Sequence, residues 1–295
     1  MVGRFSAGRQ VIVFLLLAFG ITWVVWVPRA RVHSGVLDSE LAVTLGTFWT
    51  YGPAVAAVVA AAITGRRPAL ADLGRRLVRW RVGWRWWAVV LAGPGLLTLA
   101  IAALHVSFGG RPGDVQPLAM SAGLAAALPL LAMLCLTDGL GEETGWRGFA
   151  LPRLLEITSP VVASLLLGVV WALWHLPLYW TQGTPLYRSP ILLLFLDLPA
   201  TAVLYTWVFQ HTGGSVLLAV VLHGTLNLLG VPIPTDGEGA LVPYLLFVAV
   251  KLVAAVGIML AARQLLHENS GRSSHATAPA SSLLGAPAKR AGRYR

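Results

Sequence analysis

Glu142 and Glu143 stand side by side in Gly141-Glu142-Glu143-Thr144-Gly145-Trp146-Arg147, between two long apolar runs, Leu118 to Leu136 and Pro160 to Trp180. The chain holds only 12 Asp and Glu among 295 residues, so an adjacent pair at membrane depth asks for a reason. Ionisable side chains inside a bilayer are costly and usually mark function. On a helix the spacing divides the roles. Glu143 and Arg147 lie four apart on one face, in the favourable order for an ion pair. Glu142 points about 100° away around the helix and is left free for proton transfer. The competing reading is a solvated charge cluster at a helix end, which is common at membrane interfaces.

Two further polar groups interrupt apolar spans. His175 closes Trp171-Ala172-Leu173-Trp174-His175, with Trp171 one turn before it. A lone histidine there is otherwise a packed residue bonded to a neighbour. His223 and Asn227, in His223-Gly224-Thr225-Leu226-Asn227, share one helical face. Their structural alternative is an interhelical hydrogen-bond pair of about 1 kcal/mol. Depth draws the motifs together. At helical rise His175 is about 22 Å from Pro160, His223 and Asn227 about 12 and 18 Å from Ser215, and Glu142 about 20 Å from Leu155. If all four span ends lie on one side of the membrane, these side chains meet at similar depth.

That set can hydrolyse a peptide bond without a covalent intermediate. A buried glutamate with a histidine can deprotonate water. A second histidine with an asparagine can donate to a carbonyl oxygen that becomes negative. No Gly-x-Ser-x-Gly or His-Glu-x-x-His occurs. Glu142, His175 and His223 could also hold a divalent metal such as zinc with one open position. The sequence leaves both choices open, a metal or no cofactor at all.

These side chains need helices that cross a membrane to position them. The chain is 57% hydrophobic and 12% charged, which excludes an ordinary soluble domain. Eight spans of about the required length appear, near Gln10–Val27, Ala42–Thr64, Trp86–Phe108, Leu118–Leu140, Pro160–Trp180, Ser189–Gln210, Ser215–Gly230 and Ala240–Ala262. The seventh is short, and the fourth is open to continuation towards Leu155. The first ends in Trp-Val-Pro without a small-residue cleavage site, so it reads as a span rather than a signal peptide. The fold class is all-α and polytopic, around a polar intramembrane cavity. The domains are 1–117, N-terminal spans with a basic interfacial helix at 66–87; 118–230, the catalytic core; 231–266, the last span; and 267–295, a disordered basic tail.

The net charge of +10 does not point to nucleic acid, because the arginines sit in short blocks between spans. With the N-terminus in the cytoplasm, the inner side receives Arg4, Arg9, seven arginines from Arg66 to Arg85, Arg147, Arg153 and Arg263. The outer side receives only Arg29, Arg31, Arg111 and Arg188, and the outer loop with Asp236 and Glu238 has no basic residue. Both termini are therefore expected in the cytoplasm, in the plasma membrane. The stretch Leu70 to Trp87 reads as an amphipathic helix with its arginines on lipid phosphate. Cys135, the one cysteine, reads as a small core residue and excludes a disulfide framework. Asp197, beside Pro199, is expected near the outer surface, Lys251 to snorkel to an interface, and His105 and His211 to be interfacial.

Glu-Glu-x-x-x-Arg, aromatic-x-x-x-His and His-x-x-x-Asn, each on its own span, resemble the CAAX protease and bacteriocin-processing (CPBP, or Abi) family of intramembrane endopeptidases. The stretch is similar to the domain shared by type II CAAX prenyl endopeptidases and the lysostaphin-resistance protein A group. The resemblance covers about Leu118 to Leu229. It implies that Glu142 activates water, that His175 assists, and that His223 and Asn227 form the oxyanion site. Glu143 and Arg147 fall on supporting positions. Trp171 stands where phenylalanine is usual, a larger aromatic expected to narrow the cavity. The implied partners are a membrane-associated peptide or protein substrate and the lipid bilayer. Other readings are a non-catalytic scaffold or bacteriocin-immunity factor, and a transporter. An inverted repeat would mark the last, and none is evident.

Overall fold

The computed structural model describes residues 5–31, 49–233 and 238–276, and no strand occurs among them. The helices are α1 (Ala7–Arg31), α2 (Gly52–Ala60), α3 (Arg66–Leu77), α4 (Trp84–Ser107), α5 (Leu118–Ala122), α6 (Leu124–Leu134), α7 (Leu140–Gly145), α8 (Leu151–Leu155), α9 (Pro160–Trp174), α10 (Ile191–His211), α11 (Val216–Leu229) and α12 (Glu238–Ala276). Seven rods among the described residues are long and apolar enough to cross a membrane, and α11 is a shorter apolar helix of 14 residues. The chain is an all-α polytopic integral membrane protein.

Local chemistry sets where the rods start. Ser159 accepts a hydrogen bond from the Val162 amide, with Pro160 at the first helical position, so α9 begins there. Ser215 caps α11 in the same way through the Leu218 amide. The fourth span does continue through the carboxylates to Leu155, because π-helical turns at Cys135–Gly139 and Trp146–Ala150 join α6, α7 and α8 into one rod. Such turns carry one extra residue and often flank functional sites.

This rod occupies the centre. Residues 141–151 are buried all round, which only a helix enclosed by others can be. From α1, Phe14 packs edge-on against Trp146 at 5.4 Å between ring centroids and also meets Phe149. Farther along α1, Trp26 lies 4.5 Å from Trp174. Glycines admit the neighbouring backbones. A Cβ on Gly141 would fall 2.7 Å from the Thr50 carbonyl oxygen, and one on Gly145 2.6 Å from that of Pro53. On the opposite side α11 approaches as closely, with Gly139 against the Val220 carbonyl and Gly224 against Cys135.

Several expectations change. Residues 66–87 do not form one interfacial helix. After the π-turn at Ala61–Gly65 the backbone breaks at Arg66 (φ 52°, ψ −150°), where α3 starts; the chain turns at 78–83, and Trp84 opens the third span. Leu73 is buried beside Gly148 and packs one face of α3 onto the bundle, while Arg66, Arg67 and Arg75 stay exposed. Lys251 does not snorkel. It is 4% exposed and forms an ion pair with Asp197, which is 6% exposed between α10 and α12 and also accepts from Thr201 and Tyr244. Asp197 is thus an interhelical partner of Lys251 and Tyr244. His105 is buried too, bonded to Asp114 at 2.8 Å, whereas His211 remains exposed on the Trp207 carbonyl. The Asp114 carboxyl, in the connecting loop, is held below its usual pKa by this His105 bond and by the Arg111 amide. Finally, α12 runs to Ala276, beyond the expected boundary at 266, since Ala261, Ala262, Gln264, Leu265 and Leu266 all favour helix. The start of the second span at 42–48, Asp236 and the tail at 277–295 lie outside the described residues.

Candidate active site

The site is built on the α7 turn, with α9 supplying His175 and Trp171 and α11 supplying His223 and Asn227. Glu143 and Arg147 are fully buried and joined by a 2.9 Å bond from Arg147 Nη1 to Glu143 Oε1. The expected ion pair is therefore present. His223 Nδ1 donates to that same oxygen at 2.9 Å, a bond the sequence reading did not anticipate. The guanidinium lies between two rings, its carbon 4.4 Å from the Trp171 centroid and 4.0 Å from that of Tyr205. Such stacking is worth about 2 kcal/mol when desolvated. It compensates in part for Arg147 Nε and Nη2, which have no hydrogen-bond partner among the described residues.

Glu142 is 4% exposed and points elsewhere. Its Oε2 accepts from Trp171 Nε1 at 2.6 Å. Oε1 accepts no side-chain hydrogen bond among the described residues and is the oxygen left for a water. Trp171 is the common neighbour of the site. Its ring lies 5.9 Å from that of His175 and 6.0 Å from that of His223, and its carbonyl accepts from His175 Nδ1 at 2.8 Å. Carbonyl and carboxylate oxygens only accept, so both imidazoles carry hydrogen on Nδ1, and neutral rings present a lone pair at Nε2.

Asn227 is one turn beyond His223, but the two do not share a partner. Asn227 is exposed, and its Nδ2 donates to Asp138 Oδ2 at 3.1 Å. Asp138 and Tyr205 are the residues near the site that sequence reasoning passed over. Asp138 had a visible signal, standing four residues before Glu142. Tyr205 had none, being one more aromatic in an apolar span. Of the groups named for a metal, Glu142 Oε1 and both histidine Nε2 atoms have no hydrogen-bond partner among the described residues. Yet no group of three or more His, Cys, Asp or Glu there stands in a metal-ligand arrangement.

The site thus buries a carboxylate pair, His223 and an arginine among aromatic rings, with the half-buried His175 beside them, groups able to move protons at membrane depth. Residues 124–229 match the model of the family described as type II CAAX prenyl endopeptidase, Rce1-like, so this core of the chain is similar to that family. The CAAX prenyl protease 2 of Methanococcus maripaludis is 32% identical over 149 residues, covering 48% of this chain and 53% of that protein. The chain thus spans about half the length of the curated relative it matches.

Proposed function

We propose that the protein is an intramembrane endopeptidase that hydrolyses a peptide bond of a membrane-associated substrate with a water activated by Glu142. The observation carrying this is the division of labour between adjacent carboxylates. Glu143 is locked to Arg147 and His223, while Glu142 keeps one oxygen unengaged. The name of the relative, CAAX prenyl protease 2, extends the reading to a prenylated CAAX sequence as substrate.

In this mechanism Glu142 takes a proton from water as the water oxygen attacks the scissile carbonyl carbon. His175 Nε2 accepts the second O–H of that water and orients it. The resulting oxyanion receives hydrogen bonds from Asn227 and, when doubly protonated, from His223 Nε2. Glu142 then returns its proton to the amide nitrogen, the C–N bond breaks, and a carboxylic acid and an amine leave, the acid passing its remaining proton to the amine. The substrate reaches this depth from the bilayer, with both protein termini on the cytoplasmic side as the arginine distribution favours. Reporter fusions at the two ends test that orientation.

The decisive test uses the full chain in lipid nanodiscs with a farnesylated peptide ending in Cys-aliphatic-aliphatic-X. Wild type should release the terminal tripeptide. Glu142→Gln, which keeps the side-chain shape, should lower turnover by about a hundredfold or more while the thermal unfolding profile is unchanged. Wild-type rates from the variant would remove the proposed role, and unchanged cellular phenotypes would favour a scaffold. A metal reading requires a stoichiometric ion in the purified protein that both His175→Ala and His223→Ala displace.

A further inference from the structure

Asp138 lies outside the three motifs, on the π-turn between α6 and α7. An acidic side chain at membrane depth needs a reason, and its partner supplies one: Oδ2 of Asp138 accepts from Nδ2 of Asn227 at 3.1 Å. The two residues are 89 positions apart. They meet because the helices touch through glycine on both sides. A Cβ on Gly139 would fall 2.7 Å from the Val220 carbonyl oxygen, and one on Gly224 2.5 Å from Cys135 Sγ. Neither helix can be pushed away without losing the bond.

We propose that Asp138 is a positioning residue that fixes the orientation of the Asn227 amide and so keeps an N–H turned to the reacting carbonyl. This rests on the reading of Asn227 as an oxyanion donor. The chemistry follows from what each group can do. An ionised carboxylate only accepts, so it selects the NH2 end of the amide and rejects the flipped rotamer, which would set two oxygens face to face. One N–H is spent on Asp138 and the second is free. Asn227 is exposed and has no other hydrogen-bond partner among the described residues, so without Asp138 its amide would sample both orientations. Preorganised donors are what make an oxyanion site effective. Asp138 acts through Asn227.

The test is a double-mutant cycle on the full chain in nanodiscs, with the same farnesylated peptide. Asp138→Ala and Asp138→Leu should each lower kcat about tenfold, with KM within about twofold, since only a transition-state contact is weakened. Asp138→Asn, which keeps an accepting oxygen, should restore kcat to within about threefold of wild type. Asn227→Ala should cost about a hundredfold, and adding Asp138→Ala to it should change kcat by less than about twofold. Additive losses would overturn the proposal while leaving the Asn227 reading intact, as would a change in KM alone or no rescue by asparagine. A wild-type rate for Asn227→Ala would defeat the oxyanion reading, and the proposal with it. If the alanine variant fails to fold, the leucine and asparagine variants decide between the same outcomes.

Discussion

The indole nitrogen of Trp171 is 2.6 Å from Oε2 of Glu142, which makes it the direct hydrogen-bond donor to the proposed base. This bond leaves the other oxygen to face water. Trp171→Phe keeps the aromatic packing against Arg147 and His175 but removes the N–H. The expected result is a kcat about tenfold lower at similar KM, measured on a cleavable peptide, with little change in unfolding temperature. A variant as fast as wild type would show that the indole serves packing only.

The fully buried Glu143–Arg147 pair should govern stability before it governs rate. Removing one partner leaves an uncompensated charge, so Arg147→Ala should destabilise the protein by about 3–5 kcal/mol. Arg147→Lys should not rescue it, because an ammonium cannot stack flat between Trp171 and Tyr205. Thermal unfolding in detergent reads both.

Between α10 and α12, Asp197→Ala and Lys251→Ala should each destabilise by a similar margin of about 3–5 kcal/mol. Replacing both together, with Asp197→Leu and Lys251→Met, should recover much of the loss, because no charge is then buried alone. A loss in the double variant equal to the sum of the two single losses would show that the pair is not coupled.

The contact between the central rod and α11 admits no Cβ. Gly139→Ala should destabilise by more than Gly74→Ala, since the added carbon would crowd the Val220 carbonyl at 2.7 Å whereas Gly74 faces open space. At Gly74 alanine should be neutral or mildly stabilising, by up to about 1 kcal/mol. Comparing the two unfolding temperatures checks the packing.

What could be foreseen followed the reach of helical spacing. Glu143 and Arg147 are four apart on one rod, and their bond was legible. The spans were legible from hydropathy, and the aromatic at 171 from its place one turn before His175. His223 and Asn227 were equally visible as a pair, but their actual partners, Glu143 and Asp138, lie on another helix. Which residues meet across an interface depends on how closely two helices approach, and glycines such as Gly139 and Gly224 decide that without announcing their partners. The same limit explains Lys251. A lysine in a span reads as a candidate for the surface until the opposite charge, 54 residues away in sequence, is found beside it. Leu73 drew α3 inward by a contact with Gly148 that composition does not reveal.

The two π-turns that bracket the carboxylates make this segment sensitive to deletion. Each holds one residue more than an α-helix of equal length would need. Loss of a single residue from Cys135–Gly139 would let the rod relax to ordinary winding, rotating everything after it by about 100° relative to α6. Glu142 would then face a different neighbour although every side chain remained present. Shortening by one position there is consequently more damaging than most substitutions, and homologous chains of differing loop length should keep this stretch ungapped.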